Sequence, residues 1–436
     1  MQTNFSLVQL ADPKTAEAEK ILRTCVHCGF CTATCPTYLL TGDELDSPRG
    51  RIYLIKDMLE GDKPASATVA THVDRCLSCL SCMTTCPSGV HYMHLVDYAR
   101  QRIEETYLRA PDDRRLRALL AVVLSRAWTF RLALIGAKIC RFLGAKNWLP
   151  KKLAAMLDLA PERIPFPAAS DRPQVFKATG AKRGRVALLS GCAQPVLRPE
   201  INAAAIRLLN RRGIEVVVAK GAGCCGALTH HLGKTETAHG FARKNIAAWR
   251  REMEGEGLDA IVITASGCGT TVKDYGFMFR EDLSARDDAE QVSAITRDIT
   301  EYLTTLDAVP TPLPLPRKLK VAYHSACSMQ HGQKIAALPQ DLLRQAGFEV
   351  IDVPEGHICC GSAGTYNLLQ PDFATQLKAR KAKNIDSTGS EVIATGNIGC
   401  LQQLQGATSA PVVHTVELLD WAAGGPAPQE LRGKVD

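Results

Sequence analysis

Cys25-Val-His-Cys28-Gly-Phe-Cys31-Thr-Ala-Thr-Cys35-Pro36 and Cys76-Leu-Ser-Cys79-Leu-Ser-Cys82-Met-Thr-Thr-Cys86-Pro87 are two copies of one cysteine run. The C-x2-C-x2-C-x3-C-P spacing is that of cubane [4Fe–4S] ligation. Three thiolates two residues apart wrap one face of a cube. The fourth, next to a proline that cannot continue a helix, departs in another direction. In two-cluster chains that fourth cysteine serves the other cluster. The expected ligand sets are therefore Cys25, Cys28, Cys31 and Cys86 for one cluster, and Cys76, Cys79, Cys82 and Cys35 for the other. Structural zinc normally uses two separated cysteine pairs, and a disulfide framework belongs to small oxidised domains, so neither explains the duplicated run well.

The chain has 436 residues, a length that suggests about three domains. With 46% hydrophobic and 22% charged residues its composition is globular rather than disordered. The first twenty residues carry no basic segment followed by an apolar one, so no signal peptide is expected. Seventeen cysteines in a reducing cytoplasm bind metal rather than pair. No uncharged apolar run reaches the ~18 residues of a membrane span. The expected location is the cytoplasm, peripheral on the cytoplasmic face of the inner membrane.

The net charge of +7 is unevenly distributed. Residues 100–152 hold 13 Lys/Arg against Glu104, Glu105, Asp112 and Asp113, so this stretch exceeds the charge of the whole chain. Within it Leu116, Leu119, Leu120, Val123 and Leu124 form an apolar stripe that Trp128, Phe130, Leu132, Leu134, Ile135, Ile139, Phe142 and Trp148 continue. Such a basic amphipathic stretch suits an anionic membrane surface. The commoner origin of the pattern is an ordinary packed helix pair. Cys140, alone on the stripe, reads as a buried hydrophobe. Between the cysteine runs, Ile52, Ile55, Met58 and Leu59 recur at helical spacing and Gly61 is a stop signal. Arg49 and Arg51 there either offset thiolate charge or are plain surface arginines.

From about residue 184 the chain repeats. Val186-Ala-Leu-Leu-Ser-Gly-Cys192 matches Val321-Ala-Tyr-His-Ser-Ala-Cys327. Cys224-Cys225-Gly226 matches Cys359-Cys360-Gly361, and Gly267-Cys268 matches Gly399-Cys400. The first cysteine precedes the pair by 32 residues in both halves, and the last follows it by 43 and 40. Each half reads as strand, helix, strand, helix, strand, with short Val/Ile-rich strands of the buried parallel kind. Ligand-bearing loops of such sheets gather at the carboxyl ends of the strands. Proline-rich segments around Pro161–Pro173 and at Pro310, Pro312, Pro314 and Pro316 read as linkers. The expected domains are 1–110 (two clusters), 111–183 (basic helical connector), 184–309 and 317–436 (the repeated halves).

Gly221-Ala-Gly-Cys-Cys-Gly226 satisfies G-x-G-x-x-G after a strand. The second half keeps its thiols but replaces Gly223 by Ile358, and no acid follows about 20 residues on, so dinucleotide binding is not expected. No Walker A, nucleophile elbow or H-E-x-x-H occurs, and no catalytic residue is assigned. For Cys192, Cys224, Cys225 and Cys268, and for Cys327, Cys359, Cys360 and Cys400, three readings stand: a further iron–sulfur cluster, a redox or quinone site, or structural zinc. His230, His231, His324, His331 and His357 lie near these loops, but a lone histidine is more often structural.

The paired Cys…Cys-Cys-Gly…Cys halves behind a two-cluster domain resemble the CCG-domain (cysteine-rich) family with an α-helical dicluster ferredoxin-like N-terminal domain. Within it the chain is most similar to the iron–sulfur subunits of bacterial glycolate oxidase (glycolate dehydrogenase). The residues are Cys25–Tyr38, Ser47–Lys56, Gly191-Cys-Ala-Gln-Pro195, Thr264–Gly269 and Cys359–Tyr366. The resemblance implies an α/β protein that carries electrons from partner flavoprotein subunits, which hold FAD and oxidise glycolate to glyoxylate, toward a quinone or respiratory chain. Nucleic acid is not an expected partner. The alternatives are the same role for lactate or glycerol-3-phosphate, or a thiol/disulfide reductase using the CCG cysteines. One departure stands out: fuller CCG sites end in Cys-x-x-Cys, and here the first position of that pair is Ala265 in one half and Asn397 in the other.

Overall fold

The computed structural model describes residues 1–144, 148, 156–157, 160–161, 163–306 and 318–433. The linker bearing Pro310, Pro312, Pro314 and Pro316, and the rest of 145–162, lie outside them.

The N-terminal domain is helical. Its main helices are Pro13–Thr24, Pro48–Glu60, Ala67–Asp74 and Tyr92–Thr106. Three start at side-chain caps: Asp12 accepts from Thr15 N–H, Ser47 from Gly50 N–H and Ser66 from Val69 N–H. Leu22, Ile55, Val73, Leu95, Val96 and Ile103 fill the core. Each cysteine run leaves a helix end and takes the same turn. His27 and Gly29 in the first run, and Ser78 and Leu80 in the second, have positive φ at matching positions. A left-handed leucine is costly, and it persists because the loop must fold its thiols inward.

A buried ionic knot ties this domain together. Asp46, fully buried, meets His72 Nδ1 at 2.8 Å, Arg75 at 3.0 Å and Arg51 at 3.5 Å. Arg51 is 1% exposed and donates to the His72 carbonyl at 2.6 Å and the Thr37 hydroxyl at 2.9 Å.

Two sheets follow. The first has order β1 (Gln174–Phe176), β3 (Ile214–Val218), β2 (Gly184–Leu188), β4 (Ala260–Ile263), β5 (Thr296–Asp298). Only β1 is antiparallel. The second has order β7 (Glu349–Asp352), β6 (Lys320–His324), β8 (Val392–Thr395), β9 (Val412–His414), all parallel. Three strands per half were expected. β5 and β9 were missed because three-residue strands carry no readable period, and β1 lies directly after prolines that read as linker. One apolar core runs through both halves, from Val186, Leu188 and Ile299 to Val321, Tyr323 and Leu401. At its rim Arg207 and Arg211 grip Asp420 at 2.6 and 2.5 Å.

The basic stretch forms two helices, Pro111–Val123 and Ala127–Phe142, bent by 117°. It is not an ordinary packed pair. Leu116, Leu120 and Leu134 are buried, but Trp128 is 65% exposed, Phe142 90%, and Leu132, Ile135 and Ile139 are also exposed. Cys140 is not a buried hydrophobe either, being half-exposed.

Replacing one partner of a buried ion pair leaves the other charge unmatched. Asp46→Asn is therefore expected to cost about 3 kcal/mol, read as a lower unfolding midpoint in denaturant. An unchanged midpoint would show that the knot is dispensable.

Candidate metal centres

Two recesses open between the cysteine loops of the N-terminal domain. Cys25, Cys28, Cys31 and Cys86 line one, with Cys82 on the dividing wall. Cys35, Cys76, Cys79 and Cys82 line the other. The fourth cysteine of each run thus stands beside the first three of the opposite run. Arg51 Nη1 lies 3.8 Å from Cys35 Sγ, and Tyr92 Oη lies 3.8 Å from Cys76 Sγ. Arg51 is the buried cation beside the thiols. Arg49, partly exposed, lines the outer recess and pairs with Glu44 at 2.6 Å. Burial pushes Cys31 up to about 11, and burial with neighbouring thiols raises Cys79 and Cys82 well above the ordinary thiol range. Such thiols give up their protons to a metal, which makes assembly a proton-releasing step. A buried, acid-poor, cysteine-lined recess beside a guanidinium fits a cubane cluster.

The second recess abuts the second repeat. Leu77 and Cys79 pack with Ile358, Cys359 and Tyr366 in one apolar cluster, with Cys327 against it. Tyr366 donates to the Arg75 carbonyl at 3.1 Å. The first repeat docks through charge: His230 and His231 flank Asp97 at 3.4 and 3.2 Å, and Lys234 meets Glu104 at 2.6 Å. Burial opposes ionisation of Asp97, but the two imidazoles hold it well below the usual carboxylate range. Gly233 sits here at φ +80°, where a Cβ would strike the Arg100 carbonyl.

All eight repeat cysteines face one another across a single cavity of about 530 Å³. None is paired as a disulfide. In the first half, Cys192 and Cys225 donate to Cys224 and hold it well below the ordinary thiol range against burial; the Gly226 N–H at 3.4 Å and Arg126 add to this. In the second half, Cys327 Sγ and Cys359 Sγ are 3.7 Å apart, and Asn397 Nδ2 lies 3.5 Å from Cys400 Sγ. Asn397 therefore occupies the place of the lost thiol as a hydrogen-bond donor, whereas Ala265 offers only apolar wall.

One residue passed over in the sequence enters here. His324 is 1% exposed, and neither ring nitrogen has a partner. A ring nitrogen and the sulfurs of Cys360 and Cys400 all lie within 4.8 Å of one another. Burial, with Lys381 nearby, takes the ring down to about 3, so it is neutral, the form that ligates metal. The signal was present in the repeat alignment, where Leu189 stands in its place in the first half. The second half can thus offer imidazole and thiolates to one metal; the first offers thiolates alone. His324→Ala is expected to cut the metal retained under chelator challenge by about tenfold or more, read by elemental analysis. Equal retention would leave His324 a packing residue.

The family models for "Cysteine-rich domain" match residues 186–273 and 321–405, and that for "4Fe-4S dicluster domain" matches 21–90. The chain is 44% identical to the glycolate oxidase iron-sulfur subunit of Escherichia coli (strain K12), over 97% of this chain and 99% of that one. It is 30% identical to the probable glycolate oxidase iron-sulfur subunit of Bacillus subtilis (strain 168), over 92% and 94%. It is also 24% identical to lactate utilization protein A of Oceanobacillus iheyensis, over 54% of this chain and 96% of that one. With two cubane-type thiol recesses leading to paired cysteine-rich halves, this chain is an iron–sulfur electron-transfer subunit and belongs to the family of glycolate oxidase iron–sulfur subunits.

Proposed function

We propose that this chain receives electrons from a separate flavoprotein that oxidises glycolate to glyoxylate, and passes them inward toward the cysteine-rich halves. The observation that carries the reading is the order of thiol sites: an outer recess around Cys25, Cys28, Cys31 and Cys86, an inner one around Cys35, Cys76, Cys79 and Cys82, then Cys327 and Cys359. When bound, cubane clusters take up and release single electrons, which converts a two-electron oxidation into one-electron transfers. The chain's own residues set the conditions: thiolates hold the group, Arg51 balances its charge, and the apolar seam at Leu77 and Ile358 excludes water. Cys28 is exposed while Cys79 and Cys82 are buried, so the outer recess faces the donor. FAD belongs to the partner subunits. Lactate remains the alternative substrate, since the hydroxy-acid pocket lies on another chain.

The exposed apolar face of the bent helix pair supports peripheral attachment to an anionic bilayer. Trp128, Leu132, Ile135, Ile139 and Phe142 are presented to solvent alongside Arg126, Lys138 and Arg141. Among the described residues no single helix is long and apolar enough to cross a membrane.

The purified chain is expected to carry at least about eight iron atoms and to oxidise no glycolate without its flavoprotein. Turnover by the flavin-free chain would overturn the assignment. In Cys86→Ser, electron paramagnetic resonance should show damage to the cluster built on Cys25, Cys28 and Cys31 while the other signal survives. The reverse loss would undo the exchange of fourth ligands. Trp128→Glu combined with Phe142→Glu should abolish co-sedimentation with vesicles containing anionic phospholipid and leave iron content unchanged. Unaltered sedimentation would remove the helix pair from the membrane.

A further inference from the structure

The second repeat half seats the inner cluster loop on a surface of its own. Ile358, Cys359 and, from the helix Pro371–Asp386, Leu377 pack against Leu77 and Cys79. Counting along the repeat, the same places in the first half belong to Gly223, Cys224 and, from the helix Thr235–Glu254, Phe241. No residue of the N-terminal domain lines that counterpart. A cavity of about 500 Å³ opens there instead, within the ~300–1,000 Å³ of small-molecule sites. Gly223 is part of the reason. A Cβ there would meet nothing within 4 Å, whereas Ile358 in the second half is buried in the seam.

The walls of this chamber are basic. Arg126, Arg131, Arg172 and Lys244 line it against one acid, Asp171. Arg131 spends its guanidinium on the carbonyls of Pro165 and Pro195. Arg126 lies over the Phe241 ring at 5.8 Å. Among the described residues neither Arg126 nor Arg172 nor Lys244 has a carboxylate partner. Unpaired cations around one small chamber call for an anion, and guanidinium with ammonium suits phosphate. Asp171 fits such an occupant in one way. Its Oδ1 accepts from Asn202 Nδ2 at 2.8 Å, while Oδ2 is buried without a partner and needs a hydrogen from the occupant.

The mouth decides where the phosphate comes from. Trp128 lines the chamber and is also largely exposed, on the same helix pair that presents Leu132, Ile139 and Phe142 to the exterior. A tryptophan between an apolar face and a basic pocket is the arrangement of a membrane interface. We propose that the chamber binds the headgroup of an anionic phospholipid that carries a free hydroxyl, such as phosphatidylglycerol. The phosphate meets Arg126, Arg172 and Lys244, a headgroup hydroxyl donates to Asp171 Oδ2, and the acyl chains leave past Trp128. The proposal rests on the peripheral attachment given above and names the lipid it selects. It also places that lipid beside the first-half thiols, since Cys192 and Cys224 line the same chamber.

The test uses the iron-loaded full chain and dihexanoyl phosphatidylglycerol dispersed below its micelle concentration, with binding read by calorimetry. One saturable site is expected, and dihexanoyl phosphatidylcholine, which has no net charge, should bind at least about tenfold more weakly. Arg126→Gln combined with Lys244→Gln should raise the Kd about tenfold or more. Gly223→Ile, which copies the second half, should do the same by filling the chamber. Asp171→Ala separates a built site from a basic patch. Loss of the hydroxyl's acceptor should weaken binding about threefold, whereas a patch freed of its one acid would bind tighter. Iron content and melting temperature serve as controls. Absence of saturable binding, an unchanged Kd in both the double variant and Gly223→Ile, unchanged or tighter binding by Asp171→Ala, or equal affinity for inorganic phosphate each overturns the proposal. Tighter binding of hexaglutamate than of the lipid would assign the chamber to an acidic protein segment and overturn it as well. Co-sedimentation with anionic vesicles in the absence of saturable binding refutes this site and leaves the peripheral attachment standing. Saturable binding without co-sedimentation refutes the attachment alone.

Discussion

The seam where Leu77 and Cys79 of the second cysteine run meet Ile358, Cys359 and Tyr366 is the contact on which the rest depends. It joins a helical domain to an α/β domain across nearly 300 residues of sequence. It does so with the thiol-bearing loops themselves and not with some remote surface. Loops are ordinarily mobile and exposed. Here Leu77 and Cys79 are core residues of a small apolar cluster, and the left-handed Ser78 and Leu80 on either side show that the backbone was bent to seat them. The charged contacts of the first half, Asp97 with His230 and His231, then fix the rotation of one domain against the other.

Within the helical domain the governing constraint is electrostatic. Eight thiols gather in two recesses, and ionised thiols in a low-dielectric site need compensation. Arg51 supplies it from a fully buried position, which is tolerable because Asp46, Thr37 and the His72 carbonyl satisfy the guanidinium. Burial opposes the charge on Arg51, but Cys76, Tyr92, Cys35 and Asp46 together keep it above its ordinary range. The arginine is thus tied both to the thiols and to the knot that holds two helices and a loop in place, so stability and redox environment are set by one residue.

The cysteine spacing and the repeat were legible because each is a local pattern of rare residues. Val186 and Val321, within matched strands, announce buried parallel sheet by composition alone. What was illegible depends on partners distant in sequence. Nothing in Leu132 or Phe142 says whether a helix face meets a core or a bilayer, since both demand the same residues. Strand β1 is recognised only through its antiparallel register with β3, Gln174 against Val218. His324 looked structural because a buried histidine usually finds a hydrogen-bond partner; only the fold shows that it has none.

The two halves share a backbone but not an electrostatic design. Gly226 and Gly361 both turn at φ +87°, packed against Ala238 and Ala374. Counting on from those alanines, Asn245 in the first half takes the place of Lys381 in the second. Asn245 is neutral and spends its amide on the Cys224 carbonyl and the Gly223 N–H. Lys381, 1% exposed, donates to the Glu355 carbonyl; burial lowers its pKa, and Cys360, Cys359 and Cys400 work to restore it. A buried ammonium is expensive unless negative charge stands beside it. The second half therefore carries a buried lysine and an imidazole under its thiols. The first borrows Arg126 from the helix pair. The second half is also the half that touches the inner recess. Duplication gave both halves the same thiols, and divergence at two buried positions gave them different work.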